Sequence, residues 1–163
     1  MSRITPQQGL QPSLLDRLID SESSGTAILT GYSAEQMYRA VLRDLEDLLN
    51  TRQVRDPALL NDPELTNSLL TYGLPDYVSA ESLSSSQRAE IGKAIRQVVE
   101  RFEPRLKEVK VTLISQDEEE SVRQRLRFRV AARLNVNPSP DVTFETILEM
   151  ASGHYQVTET ADT

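Results

Sequence analysis

The stretch from residue 122 to residue 134 constrains the fold most, because apolar and charged side chains alternate along it. One face of this stretch consists of Val122, Leu126, Phe128, Val130, Ala132 and Leu134, and the other carries Arg123, Arg125, Arg127, Arg129 and Arg133. A period of two residues is typical of a strand that buries one face and leaves the other in water. The sequence therefore predicts a long strand in a sheet with one solvated side.

Three weaker strand signals surround this one. Val109, Val111 and Leu113 alternate with polar residues, Val142 and Phe144 begin a third strand, and Tyr155 with Val157 indicates a short fourth strand. Strands that follow one another this closely along the chain favour antiparallel neighbours. We expect a mainly antiparallel sheet of three to four strands in the C-terminal third.

Two long amphipathic helices are predicted before the sheet. Ser33 with Gln36 and Ser84 with Gln87 have the spacing of capping boxes, which place the helix starts. The apolar stripes that follow are Ala34, Met37, Tyr38, Val41, Leu45, Leu48 and Leu49 in the first helix, and Ile91, Ile95, Val98, Val99 and Phe102 in the second. The predicted class is therefore α+β, with a helical N-terminal two-thirds packed on the sheet.

The first thirty residues form a predicted flexible segment that carries one short helix. Leu14, Leu15, Leu18 and Ile19 lie at helical spacing behind a capping Ser13. A helix this short is marginal alone in water, so it needs a surface, either on its own domain or on another protein. The predicted organisation is this segment over 1–30, one domain over 31–158 and a tail over 159–163.

Composition excludes several classes of function. The chain has no Cys, which excludes disulfides, thiolate metal sites and cysteine nucleophiles. Its single His, His154, leaves too few ligands for a zinc site made of protein side chains. Its net charge of −7 argues against nucleic-acid binding over a broad surface. Apolar runs do not exceed three residues, so neither a membrane-spanning helix nor a secretory signal is expected. We expect a soluble, cytoplasmic protein without metal or cofactor.

No catalytic residue is predicted. His154 follows a glycine in a turn, and no serine lies in a nucleophile elbow. The carboxylates lie mostly in exposed settings such as residues 116–120, which indicates a hairpin tip rather than the protected site that a catalytic acid needs. The arginine face has two open interpretations, a surface for an acidic protein or a solvated face that discourages aggregation.

One junction separates the second long helix from the first strand. Because a proline disfavours helical geometry in the residue before it, Glu103 is pushed into an extended conformation ahead of Pro104 and Arg105. Two opposite charges beside a fixed bend suit recognition, although a plain helix stop explains the same residues. Both interpretations stay open at this point.

Four segments in order resemble TssE, a baseplate subunit of bacterial type VI secretion. They are PSLLDRL at 12–18, VLRDLEDLLNTR at 41–52, LLTYGLPD at 69–76, and IRQVVERF at 95–102 followed by EPRL at 103–106. The wider family includes the baseplate wedge protein of contractile phages, often labelled lysozyme-like. The resemblance covers nearly the whole chain.

The resemblance implies a structural subunit that helps assemble the baseplate wedge and starts polymerisation of the contractile sheath. Implied partners are TssF-like and TssG-like wedge subunits, a TssK-like baseplate subunit and TssB/TssC-like sheath subunits, in a cytoplasmic baseplate docked at the inner membrane. Glu103, Pro104 and Arg105 match the hallmark motif that the family uses in assembly contacts, and the helix with Leu14, Leu15, Leu18 and Ile19 is the expected docking element. A lysozyme-like peptidoglycan hydrolase is the alternative function.

Overall fold

A computed structural model describes residues 12–19, 32–54, 63–66, 68–77, 84–114, 125–137 and 139–160. Most of the predicted flexible segment, the predicted hairpin tip at 116–120, Val122 and Arg123 of the predicted strand, and the end of the predicted tail lie outside these residues. The chain divides into two compact units, Met1–Val41 and Leu42–Thr163, with the division inside a helix. No helix in the described ranges is long and apolar enough to cross a membrane.

The helices begin where the sequence predicts. The described helices are α1 (Leu14–Ile19), α2 (Ala34–Asn50), the short α3 (Pro63–Thr66) and α4 (Ser85–Phe102), with a 3-10 turn over Leu69–Thr71. Both predicted capping boxes are present: Gln36 N–H donates to Ser33 Oγ at 3.1 Å, and Ser84 N–H donates to Gln87 Oε1 at 2.9 Å. These bonds satisfy N–H groups that a helix start otherwise leaves without partners.

Four antiparallel strands in the order β1-β2-β3-β4 form the sheet. They are β1 (Leu106–Leu113), β2 (Arg125–Leu134), β3 (Asp141–Glu149) and β4 (His154–Glu159). The predicted α+β class and the meander are confirmed. The first strand begins earlier than its alternation indicates, because a β-bulge between Lys107 and Lys110 interrupts the alternation.

The core of the second unit lies between one face of the sheet and α4, and it includes the buried Leu45, Leu48 and Leu49 at the end of α2. On β2 the alternate residues from Leu126 to Leu134 are buried, and on α4 the stripe residues Ile91, Ile95, Val98 and Val99 are buried. Gly92 faces the sheet from α4, and a Cβ built there would make ordinary contacts, 3.5 Å from the Phe128 ring and 3.9 Å from Val111. This packing presents the other face of the sheet to water.

Candidate functional site

The Glu103-Pro104-Arg105 junction joins α4 to β1 as a fixed bend. The backbone of Glu103 is no longer helical, with φ −118° and ψ 77°, although its N–H still donates to the carbonyl of Val99 at 2.9 Å. The Arg105 guanidinium turns back onto the Glu103 carboxylate, where Nε donates to Oε1 at 2.6 Å and Nη2 donates to Oε2. The two opposite charges therefore bind each other across the proline.

A second carboxylate completes this site from α2. Arg105 Nη2 also donates to Asp44 Oδ2 at 2.7 Å, and Asp44 Oδ1 accepts from Arg43 Nε at 3.0 Å. Only 4% of Glu103 is exposed. Burial disfavours the charged guanidinium, but the hydrogen bonds and charges of Glu103 and Asp44 outweigh it and raise the pKa of Arg105 above its ordinary value. The cluster is thus a largely buried ion network that ties α2 to the start of β1.

Two further contacts fix the bend. Asn135, just after β2, donates its N–H to the carbonyl of Arg105 at 2.7 Å. On the other side, the ring of Tyr72 meets the ring of Phe102 edge to face, with 5.2 Å between centroids. Burial, and then the charges of Asp44, Asp47 and Glu103, raise the pKa of Tyr72. Pro104 remains exposed at the outside of the bend.

Helix α1 presents leucines to solvent and buries an acid. Leu14 is 70% exposed, Leu15 54% and Leu18 76%, whereas Asp16 is 4% exposed. Asp16 Oδ2 accepts from Ser13 Oγ at 2.7 Å, and the N–H of Asp16 donates to Ser13 Oγ at 3.1 Å. The predicted cap at Ser13 is confirmed, and the leucines predicted to need a surface are exposed; the Ile19 side chain lies outside the described part.

The outer edge of β4 is bound by side chains of α2. Asn50 Nδ2 donates to the carbonyl of Tyr155 at 2.7 Å, and Asn50 Oδ1 accepts the N–H of Tyr155 at 2.9 Å. One turn earlier, Glu46 Oε2 accepts the N–H of Val157 at 3.1 Å. These side chains take the place of a further strand. Sequence reasoning missed this role, because both residues fit the polar face and end of an ordinary amphipathic helix.

On the arginine face of the sheet, ion pairs join neighbouring strands. Arg125 bonds Glu149 at 2.6 Å and Arg127 bonds Glu145 at 2.7 Å, both from β2 to β3. The hydrogen bond and charge from Arg125 lower the pKa of Glu149. Arg133 lies 3.3 Å from Asp141 and 3.5 Å from Glu108. Much of the positive charge of β2 is therefore compensated within the sheet.

A metal centre would need a cluster of ligating side chains in the described part of the chain. Among these residues no group of three or more His, Asp or Glu side chains is placed to hold a metal ion. His154 lies exposed at the start of β4. The features that the described residues do assemble are the Arg105 network, the exposed leucines of α1, the capped edge of β4 and the ion pairs of the arginine face.

Comparison with known proteins gives one family and one structure. A profile of the family "Baseplate wedge protein gp25" matches residues 35–139. A chain of "The baseplate complex from the type VI secretion system" aligns with a TM-score of 0.49 and 19% identity, over 69% of this chain and 94% of that chain. The comparison with curated protein sequences found no match.

The profile match covers the two long helices, the Arg105 network and the first two strands of the sheet. It confirms, at the level of the family, the resemblance that the four sequence motifs predict, and it supports a structural role in a baseplate. Because the match extends over well over half of the 163 residues, the chain belongs to the gp25 family of baseplate wedge proteins.

Proposed function

We propose that this chain is a structural, non-enzymatic subunit of a type VI secretion baseplate wedge, which helps assemble the baseplate and starts the contractile sheath. Membership of the baseplate wedge family carries this proposal. The proposed partners are TssF-like and TssG-like wedge subunits and a TssK-like subunit, with TssB/TssC-like sheath subunits joining later. The proposed place of assembly is cytoplasmic, in a baseplate docked at the inner membrane.

The docking element in this proposal is helix α1, because its leucines are exposed. Burying such a side chain against a partner contributes roughly 1.5 to 3 kcal/mol, and three leucines lie on this short helix. The exposure of Leu14 and Leu18, 70% and 76%, supports contact with another subunit. We propose that Leu14, Leu15, Leu18 and Ile19 meet the other wedge subunits.

The junction has a proposed role in the same assembly. A partner can reach the exposed Pro104 and the edge of the Arg105 guanidinium, whereas Glu103 is buried and acts through Arg105. We propose that Glu103 and Asp44 hold Arg105 beside Pro104, so that the bend meets a partner in one fixed shape. A rigid surface loses little conformational entropy on binding, which favours specific assembly.

Co-expression with TssF-like and TssG-like partners from the same source tests the docking. The variant Leu14→Ser/Leu18→Ser should fold like the wild type, since both side chains are exposed, and should no longer co-elute with the partners in size-exclusion chromatography. Leu69→Ser is the matched control, because Leu69 is a leucine of the second unit that is 83% exposed. Undiminished co-elution of the double variant would contradict docking through α1, and failure of the folded wild type to co-elute would contradict the proposed function.

A further inference from the structure

Glu108, in the β-bulge of β1, has a backbone conformation that residues with a long side chain rarely adopt. Its φ is +56°, and in the described ranges it is the only residue other than glycine with a positive φ. Glycine usually occupies this left-handed region, and asparagine or aspartate does so less often, because other side chains crowd the neighbouring backbone. The glutamate therefore destabilises the fold at this position relative to glycine.

Packing explains the bulge but not the glutamate in it. Between Lys107 and Lys110 the register shifts, so that β1 has one residue more than β2 over this stretch. The extra residue lets Leu106 and Val109 both face the core, where both are buried, although strict alternation would place residues three apart on opposite faces. A glycine at position 108 would allow the same packing without the unfavourable conformation.

The contacts of Glu108 within the fold are weak. Its side chain is 61% exposed, and its Oε1 lies 3.5 Å from Arg133 Nη1. Arg133 has other partners, because its Nη2 donates to the carbonyl of Ser139 at 3.2 Å and its Nε lies 3.3 Å from Asp141 Oδ1. Exposed ion pairs of this kind contribute little to stability. The fold thus gains little from this glutamate.

Glu108 borders the junction that is proposed to meet a partner. It follows Pro104 by four residues, and the carbonyl of Pro104 accepts from Asn135 Nδ2 at 3.4 Å, two residues beyond Arg133 in β2. Pro104, Glu108 and Asn135 are all exposed. Unfavourable backbone conformations are concentrated at functional sites, and bulges commonly re-aim a side chain beside such sites.

We propose that Glu108 is a recognition residue for the wedge subunits, and that its carboxylate binds a basic side chain, Arg or Lys, of one of them. A carboxylate can accept about four hydrogen bonds. That of Glu108 accepts none from the residues that the structure describes. The bulge also fixes the backbone that carries it, so binding orders little more than the side chain. This inference rests on the proposed function, from which the wedge partner is taken.

The alternative is that Glu108 serves the fold, by compensating the positive charges of Lys107 before it and of Arg133 beside it. In that case the loss of the carboxylate would lower stability and leave partner binding unchanged. Recognition of a basic side chain predicts the reverse, a loss of binding without a loss of stability. The two explanations therefore differ in what the same variants should show.

Titration of the full chain against a purified complex of TssF-like and TssG-like subunits from the same system tests the proposal, with the melting temperature Tm measured for every variant. Glu108→Gln removes the charge and keeps the backbone conformation, so binding should weaken by about tenfold at an unchanged Tm. Contacts through α1 remain in this variant. Glu90→Gln makes the same change at an exposed position on α4 and should bind like the wild type.

Glu108→Gly removes both the carboxylate and the unfavourable conformation. It should bind as weakly as Glu108→Gln, while its Tm rises by roughly 2 to 4 °C. Added salt should weaken the wild type more than Glu108→Gln, because salt screens an exposed pair of charges. A more stable protein that binds less well would place the benefit of the glutamate outside the fold.

The other outcomes separate this inference from the function on which it rests. Wild-type affinity of both variants at position 108 would overturn it, and so would a lower Tm of Glu108→Gly, because the glutamate would then serve the fold. Weak binding by Glu108→Gly alone would assign the effect to the shape of the bulge and overturn the basic partner. These three results leave the baseplate role standing, whereas absence of binding by the folded wild type would contradict that role as well.

Discussion

Asn50 pairs with Tyr155 as a neighbouring strand would, donating to its carbonyl at 2.7 Å and accepting its N–H at 2.9 Å. The residue at the end of α2 thereby satisfies two backbone groups of an outer strand. An unpaired outer strand is a ready template for pairing with other chains. One amide side chain thus ties α2 to the sheet and closes the β4 edge.

Replacing Asn50 should destabilise the fold. Asn50→Ala leaves two backbone groups of Tyr155 without these partners, and we expect the free energy of unfolding to fall by about 1 to 3 kcal/mol. Urea denaturation followed by circular dichroism measures it. Lys93→Ala, which removes an exposed side chain of α4, should change stability little. Equal stability of Asn50→Ala and the wild type would show that the capping bonds contribute nothing net.

The ion network at the junction predicts that Arg105 is needed for stability. Arg105→Ala leaves the carboxylate of Glu103, 4% exposed, without its bonded cation. Removing one partner of a buried pair costs about 3 to 5 kcal/mol, and the partial exposure of Arg105 favours the lower end of this range. Lys93→Ala, at an exposed position on α4, is the control.

A destabilised Arg105→Ala protein could lose partner binding because it unfolds. If Arg105→Ala is as destabilised as expected, loss of partner binding by this variant does not by itself locate a contact. Pro104→Ala changes the exposed side chain and leaves the ion network in place. A stable Arg105→Ala protein, with an unfolding midpoint near that of the wild type, would show that the network contributes little to the fold.

The sequence was enough to predict the elements that depend on local pattern, and it was insufficient for contacts between distant segments. The alternation from Leu126 to Leu134 and the Ser84/Gln87 box depend on neighbours in the chain, so they could be predicted. Asp44 and Asn50 contact residues 61 and 105 positions away. A single sequence holds no signal for such pairs, because an acid or amide on the polar side of a helix is ordinary.

Two glycines give opposite predictions for substitution by alanine. Gly73 has φ +95°, and a Cβ there would lie 2.2 Å from the carbonyl oxygen of Thr51. The N–H of Leu74 donates to the same oxygen at 2.9 Å, and a shift that relieved the clash would break this hydrogen bond. We expect Gly73→Ala to lose about 2 kcal/mol or more of stability, since strain and a lost hydrogen bond add.

Gly92→Ala is the matched substitution. Its Cβ would make an ordinary contact with Phe128 at 3.5 Å, inside a helix where alanine is favoured over glycine. We expect a gain of up to about 1 kcal/mol. Thermal and urea unfolding of both variants measure the pair of effects. A destabilised Gly92→Ala would mean that α4 lies too close to the sheet for a methyl group, and an unaffected Gly73→Ala would mean that the turn adjusts.

The buried hydroxyl of Tyr155 leads to two expectations, one for the stability of Tyr155→Phe at neutral pH and one for its stability at alkaline pH. This oxygen is buried and has no hydrogen-bond partner among the described residues. A buried group left unsatisfied costs about 1 to 3 kcal/mol, so Tyr155→Phe should be at least as stable as the wild type at neutral pH.

Burial also raises the pKa of Tyr155 in the folded protein. The folded state therefore keeps the phenol proton at a pH where the unfolded chain, with a tyrosine pKa of about 10, has lost it. Stability from this group is complete below about pH 10 and falls as the pH rises further. Urea unfolding on either side of this value should show that Tyr155→Phe loses less stability than the wild type. Tyr72→Phe, at a less buried tyrosine, should recover less of the alkaline loss. An alkaline loss that is the same in Tyr155→Phe and the wild type would contradict the assignment to this hydroxyl.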